Sequence, residues 1–243
     1  KNCIGQIGDA NIRDFFLVAF SQTVRRVSNT RNGEFKLYRI EESELKKFGP
    51  NTIKEFKETV DYYFEKLKEY LPQKTNCNVL LFNDDTRKLI SIPKNHVDLL
   101  VTSPPYGDSK TTVAYGQFSR LASLWLGFDE KIVRDLDKVS LGGIPTKDLE
   151  NALESASLKN ILNKVSQIDE KRAKDVLSFY NDFWLCVKNI DKVMKTGSHL
   201  CFVVGNRTVK LVNIPTDKII TEMFQSLGNY SHLQTIDRNI PSK

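Results

Sequence analysis

The apolar run Val97-Asp98-Leu99-Leu100-Val101-Thr102 is closed at once by Ser103-Pro104-Pro105-Tyr106. The run has the length and the Leu/Val content of a buried strand. Two consecutive prolines permit neither a helix nor continued ladder pairing directly after it, so the chain has to turn at the strand's carboxyl end. In open α/β sheets ligands bind at that end. A hydroxyl, two rigid carbonyl-bearing residues and an aromatic ring are therefore expected to be presented there together, on an α/β scaffold.

Those residue types suit chemistry on an exocyclic amine of a nucleic-acid base. Such an amine is a poor nucleophile because its lone pair is delocalised into the ring. Acceptors placed around its two N–H bonds, here the Ser103 hydroxyl and the Pro104 carbonyl, favour a tetrahedral nitrogen and disperse the positive charge that develops during attack. Pro105 holds the turn, since its fixed φ leaves the backbone little freedom. Tyr106 offers a flat face on which a base swung out of a duplex can stack. The competing reading of Pro-Pro-Tyr is a plain proline turn or a peptide ligand. A solvent-exposed ligand motif has no need of an apolar strand in front of it.

Thr102-Ser103-Pro104-Pro105-Tyr106-Gly107 resembles the catalytic motif IV of the amino-methylating DNA methyltransferases. The serine form is most similar to the N4-cytosine enzymes, while Asp or Asn in that place is commoner among N6-adenine enzymes. The resemblance implies a Rossmann-like, S-adenosylmethionine-dependent fold and double-stranded DNA as substrate. It also implies that Ser103, Pro104, Pro105 and Tyr106 are catalytic. Cytosine N4 is the expected acceptor; adenine N6, or an RNA or protein amide nitrogen, is the alternative.

Bulk properties agree with a polyanionic partner without requiring one: the 243 residues carry a formal net charge of +6, with a pI near 9.0. No apolar segment is long enough to suggest a membrane span and no signal peptide is evident, so a cytoplasmic protein is expected. The four cysteines, Cys3, Cys77, Cys186 and Cys201, are far apart and three lie in or beside apolar runs. They read as reduced structural cysteines. The three histidines are isolated from them, which argues against a zinc site and against the zinc deaminases as an alternative base-modifying class.

Along the chain, Phe16, Ala19, Phe20, Val24 and Val27 predict an amphipathic helix. Arg13, Arg25, Arg26, Arg31, Lys36 and Arg39 make this region basic, as phosphate contacts or as an ordinary solvated face. Spacing from Ile53 to Tyr70 predicts a second helix, stopped near Pro72, with Tyr62, Tyr63, Phe64 and Tyr70 packed in a core rather than forming a stacking platform. Asn78 to Phe82 reads as a strand. Phe118, Leu121, Ala122, Leu124 and Trp125 begin another helical face. Residues 127–171 are highly charged around the break Gly142-Gly143-Ile144-Pro145 and read as an inserted helical subdomain or a peripheral insertion. A helix from about Ala173 to Met194, ended by Lys195-Thr196-Gly197, a strand His199 to Val204, a helix Thr216 to Leu227 and a strand Ser231 to Ile236 complete the pattern.

Further positions follow from the resemblance. Asn83-Asp84-Asp85-Thr86-Arg87 is similar to an acidic turn near the cofactor's adenine end, which implies cofactor proximity for Asp84 and Asp85, with Thr102 on the same side. Helix capping by either aspartate is a compatible alternative. Gly205-Asn206-Arg207 resembles motif VI and implies a wall of the base pocket, with Gly205 allowing close backbone approach; a simple turn is the alternative reading. Ser109, Lys110 and Thr112 are candidate phosphate contacts. Asp237-Arg238-Asn239-Ile240-Pro241-Ser242-Lys243 resembles the basic end of motif VIII. The expected organisation is a helical N-terminal segment (1–76), a catalytic core (77–126 and 173–243) and a charged insertion with a possible DNA-reading role (127–172).

The glycine-rich cofactor loop of this fold follows a strand and opens a helix. Gly5-Gln6-Ile7-Gly8-Asp9 is the nearest candidate, but Lys1 to Ile4 is too short and polar for the strand. The cofactor loop is therefore expected in sequence outside this chain or on a second polypeptide. The rival class is a noncatalytic DNA-binding specificity subunit of a restriction-modification system.

Overall fold

Helices form where apolar residues recur at helical spacing behind a capping side chain. In the computed structural model, which describes residues 1–31, 36–73, 75–105, 114–150 and 153–238, the elements run α1 (Asn2–Gly5), α2 (Ala10–Val27), α3 (Glu42–Leu45), α4 (Thr52–Tyr70), β1 (Val97–Thr102), α5 (Tyr115–Leu126), α6 (Glu130–Val139), α7 (Ala156–Ile168), α8 (Glu170–Val193), β2 (Met194–Phe202), β3 (Arg207–Val209), β4 (Val212–Ile214) and α9 (Thr216–Gln225). Asp9, Asn51, Ser155 and Asp169 each accept a backbone N–H three residues on, at 3.0 Å, and so start α2, α4, α7 and α8.

The chain divides into two compact units. The first, Lys1–Leu81 with Val113–Asp137, packs α2 against α4 and α5. The Phe16 ring meets Phe56 at 6.4 Å and the Phe20 ring meets Trp125 at 6.4 Å. Arg25 and Arg26 are tied into this unit, although Arg26 stays exposed. The Arg25 guanidinium lies 3.6 Å over the Phe118 ring and donates to the Phe118 carbonyl at 3.1 Å, and Arg26 reaches the Thr59 hydroxyl at 3.4 Å. The α4 aromatics correct the sequence expectation: Tyr62, Phe64 and Tyr70 are about half exposed, and of the four only Tyr63 is half-buried. The candidate glycine loop is also settled locally, since Gly5 ends a short helix and Asp9 caps the next.

The second unit, Phe82–Thr112 with Lys138–Lys243, is built on α8. Val176, Leu177, Phe179, Tyr180, Phe183, Val187 and Ile190 are buried almost completely, and α7, α9 and the strands gather on them. β1 and β2 pair in parallel, with Leu99 beside His199 and Thr102 beside Phe202. α8 passes into β2 without a loop, so Lys195, Thr196 and Gly197, expected to end the helix, lie within the strand. The register shifts between Val97 and Leu99, and Gly197, at φ +78°, supplies the backbone conformation that this irregularity in the ladder needs. A chain of aromatic contacts runs from α8 across the sheet to α9: Phe179 to Phe183, then Phe202, Phe224 and Tyr230, at 5.1 to 6.4 Å. The 127–171 region is not peripheral throughout, because Leu158, Ile161, Leu162 and Val165 of α7 belong to this core.

Three further expectations change. Asn78 to Phe82 forms no strand, and Val79 to Phe82 are exposed. Ser231 to Ile236 likewise joins no ladder, with Leu233 and Ile236 exposed. Both runs have strand composition, but a strand exists only where a neighbour pairs its backbone, and among the described residues neither has one. Of the cysteines only Cys186 is buried, where desolvation pushes its thiol up to about 12. Among the described residues no helix is long and apolar enough to cross a membrane, and no group of histidine, cysteine, aspartate and glutamate side chains could hold a metal ion.

Candidate active site at the carboxyl ends of the parallel strands

Parallel pairing brings two sequence motifs, about a hundred residues apart, to one end of one sheet. Thr102 and Phe202 are the last paired residues of β1 and β2, and the Val203 N–H donates to the Thr102 carbonyl at 2.9 Å. Ser103-Pro104-Pro105 therefore leaves the sheet beside Val203-Val204-Gly205. Ser103 is exposed, and Pro104 and Pro105 are half-buried. Tyr106 and Lys110, with Ser109 and Thr112, lie outside the described residues, as do Asn239 to Lys243.

Beyond β2, the turn at Gly205 and Asn206 leads into the β3–β4 hairpin, in which Arg207 pairs with Ile214. The Asn206 side-chain oxygen accepts the Asp217 N–H at 3.3 Å. Pro215 has no side-chain cap to offer α9, so Asn206 supplies one from eleven residues away. Asn206 and Arg207 are thus held by α9 and β4 instead of hanging on a free loop. Tyr180 is fully buried behind them, and burial raises its phenol well above the ordinary value.

Asp84 and Asp85 cap no helix. Asp85 is gripped by Arg87, whose Nε lies 3.0 and 3.1 Å and Nη2 2.8 Å from the carboxylate, and this hydrogen bonding holds its pKa below the ordinary value. Asp84 accepts the Ser91 and Asp85 N–H groups at 2.9 Å each, which lowers its pKa likewise. Arg87 also donates to the Val139 carbonyl at 2.7 Å and lies 3.5 Å from Asp182 of α8. The acidic turn thus packs along α8, where the Asn189 side chain also donates to the Arg87 carbonyl. Asp85 is already committed to Arg87; Asp84 is spent mainly on its own turn.

Two contributors were invisible as side-chain signals. Val203 acts through its N–H alone. Arg87 belongs to the quoted acidic turn, but its grip on Asp85 and α8 depends on tertiary placement. At the opposite, amino end of the sheet Lys195 forms a salt link to Asp98 at 2.7 Å.

The chain is homologous along its whole length to a methyltransferase. The match is 44% identical over an alignment of 262 positions to the Type II methyltransferase M.MvaI of Kocuria varians, covering 100% of this chain and 56% of that protein. The chain therefore spans about half the length of the curated relative it matches. No family model matches it, and no solved structure matches it.

Proposed function

We propose that this chain is the catalytic part of a Rossmann-like, S-adenosylmethionine-dependent DNA methyltransferase that modifies the N4 amine of cytosine, with adenine N6 as the competing acceptor. The observation that carries the reading is the placement of Ser103-Pro104-Pro105 at a strand's carboxyl end, tied by the Val203–Thr102 hydrogen bond to the strand that leads into Gly205-Asn206. Homology to a Type II methyltransferase over the full chain supports it. A methylating site needs acceptors around the target amine and a wall against the base, and two strand ends side by side supply both.

In this reading the Ser103 hydroxyl and the Pro104 carbonyl accept from the amine, Pro105 sets the direction of that carbonyl, and Tyr106 stacks on the flipped base. Gly205, Asn206 and Arg207 form the facing wall, Lys110 touches the DNA backbone, and Thr102, Asp84 and Asp85 border the cofactor. S-adenosylmethionine supplies the electrophilic methyl group. Residues 77–126 and 173–243 make the catalytic core, 1–76 the helical N-terminal segment, and 127–172 an insertion open to DNA reading; the site of action is cytoplasmic duplex DNA. The glycine-rich cofactor loop is furnished by sequence outside this chain or by a second polypeptide.

The test is transfer of a labelled methyl group from S-adenosylmethionine to duplex DNA with a cofactor-binding half supplied. Ser103→Ala and Tyr106→Ala should each lower the rate by about tenfold to a hundredfold or more, the scale of a lost transition-state contact. Full transfer by both variants sinks the assignment. DNA binding with no methyl transfer under any pairing supports a noncatalytic specificity subunit instead.

A further inference from the structure

Three polar atoms lie buried together behind Asn206 and Arg207. Tyr180 of α8 and Thr216 of α9 are fully buried. The Tyr180 hydroxyl, the Thr216 hydroxyl and one carboxylate oxygen of Asp217 have no hydrogen-bond partner among the described residues. They form one cluster: Thr216 and Asp217 open α9, and the polar groups around the Tyr180 hydroxyl are these two side chains and the Arg207 guanidinium. A buried hydroxyl or carboxylate oxygen is costly unless something satisfies it. The Tyr180 ring packs edge-on against Phe179 at 5.2 Å, a contact that a phenylalanine would make equally well without the oxygen.

We infer that the three atoms share one ordered water, and that through it Tyr180 acts as a positioning residue for Asn206 and Arg207. A buried water makes about three hydrogen bonds to polar groups of this kind. The two hydroxyls each donate or accept, and the carboxylate oxygen accepts from the water. The neighbouring guanidinium disfavours a cation in the same place, and the carboxylate disfavours an anion. The link to the candidate pocket wall is direct: the Asp217 N–H donates to the Asn206 side-chain oxygen at 3.3 Å, and that bond caps α9 where Pro215 offers none. A water that pins the first turn of α9 to α8 therefore pins Asn206 and the residue after it, which opens β3. The role at the base pocket rests on the methyltransferase reading; the water itself does not.

Thermal unfolding of Tyr180→Phe, Thr216→Val and the double variant tests the shared water. Each single change should lower Tm by about 2–4 °C, the scale of one lost hydrogen bond in a chain of this size. The double variant should fall well short of the sum, because either change breaks the same bridge. Additive losses overturn the inference. So does a Tm that holds or rises in Tyr180→Phe, the result for an oxygen that nothing satisfies. Hydrogen exchange at the Asp217 amide, followed by NMR, tests the link to Asn206: it should quicken by about fivefold or more in Tyr180→Phe. An unchanged rate overturns that link.

Methyl transfer to duplex DNA, with a cofactor-binding half supplied and well below both Tm values, tests the positioning role. Tyr180→Phe should lower kcat by about tenfold and raise KM for DNA by about threefold or more, with KM for S-adenosylmethionine unchanged. A smaller folded fraction lowers kcat alone, and a general loosening of the chain moves both KM values. Either of those patterns, or unchanged kinetics, overturns the positioning role. If the parent transfers no methyl group, the functional reading fails, while the unfolding and exchange results still decide the water and its hold on Asn206.

Discussion

The N–H of Val203 donates to the carbonyl of Thr102 at 2.9 Å, immediately past the last ladder pair, Thr102 with Phe202. This bond fixes where Ser103 leaves one strand relative to where Gly205 leaves the other. Val203→Pro removes the donor, and it also fixes φ at this half-exposed position and restricts Phe202 before it. It should cost about 1–3 kcal/mol in urea unfolding. Methyl transfer should fall by about tenfold or more, since an ångström of misplacement at a reacting centre costs about that much or greater. Val203→Ala keeps the N–H and should retain nearly full activity.

Gly142 is required for space and for backbone conformation together. Its φ is +68°, and a Cβ there would lie 2.9 Å from the Phe179 Cα, with the Phe179 nitrogen at 3.1 Å. These are backbone atoms in the middle of α8 and cannot swing aside. Gly142→Ala should destabilise the protein by about 2–4 kcal/mol, measured by equilibrium denaturation, as strain and overpacking combine.

Glu222 of α9 holds the start of α7. Its carboxylate accepts from the Ser155 hydroxyl at 2.6 Å, the Ser157 hydroxyl at 2.6 Å and the Ser157 N–H at 3.0 Å. Burial alone would raise its pKa; the serine bonds outweigh burial and hold it below the ordinary 4.5. A carboxylate with a depressed folded pKa contributes stability above its unfolded value, and that contribution is lost as pH falls through the folded one. Glu222→Gln should therefore be less stable than the parent by about 1–2 kcal/mol at neutral pH. The gap should close as pH drops below 4.5, which denaturation midpoints between neutral and acid pH will show. A gap that widens on acidification contradicts this arrangement.

The β3–β4 hairpin turns on Lys210 and Leu211, both in the left-handed region at φ 48° and 65°. Two-residue turns of this kind favour glycine, and Leu211 is 97% exposed, so its side chain packs on nothing. Leu211→Gly should raise stability by about 0.5 kcal/mol, a Tm gain of about 1–2 °C. Lys210 is better kept, because its amine lies 3.1 Å from Asp169, the cap of α8.

Local signals in the sequence located α2, α4, α5, α8 and α9, whereas α6 and α7 were not resolved within the charged stretch 127–171. Helical spacing of Phe16, Phe20 and Val24, of Val176, Phe179, Phe183 and Val187, and of Ile219, Ile220 and Met223 marks α2, α8 and α9 to within a few residues. The proline pair after Thr102 places the end of β1. Away from that marker, the strand read from His199 is present as part of β2, but two others were misread. Asn78 to Phe82 and Ser231 to Ile236 have the composition of strands, but pairing depends on partners that composition does not reveal. The α4 aromatics failed for a related reason, since helical spacing identifies a face without saying what lies against it. At the candidate site, Ser103-Pro104-Pro105 and Gly205-Asn206-Arg207 were legible as motifs. Their adjacency, the capping of α9 by Asn206 and the grip of Arg87 on Asp85 arise only from the parallel pairing of β1 with β2 and the packing of α8.

The most direct measurement is nucleoside mass spectrometry of duplex DNA after incubation with S-adenosylmethionine and the chain joined to a cofactor-binding half. N4-methylcytosine should accumulate with the parent sequence and be lost with Ser103→Ala. A product methylated at any position other than an exocyclic amine, or N4-methylcytosine formed at the parent rate by Ser103→Ala, contradicts the role given to the strand end at Ser103.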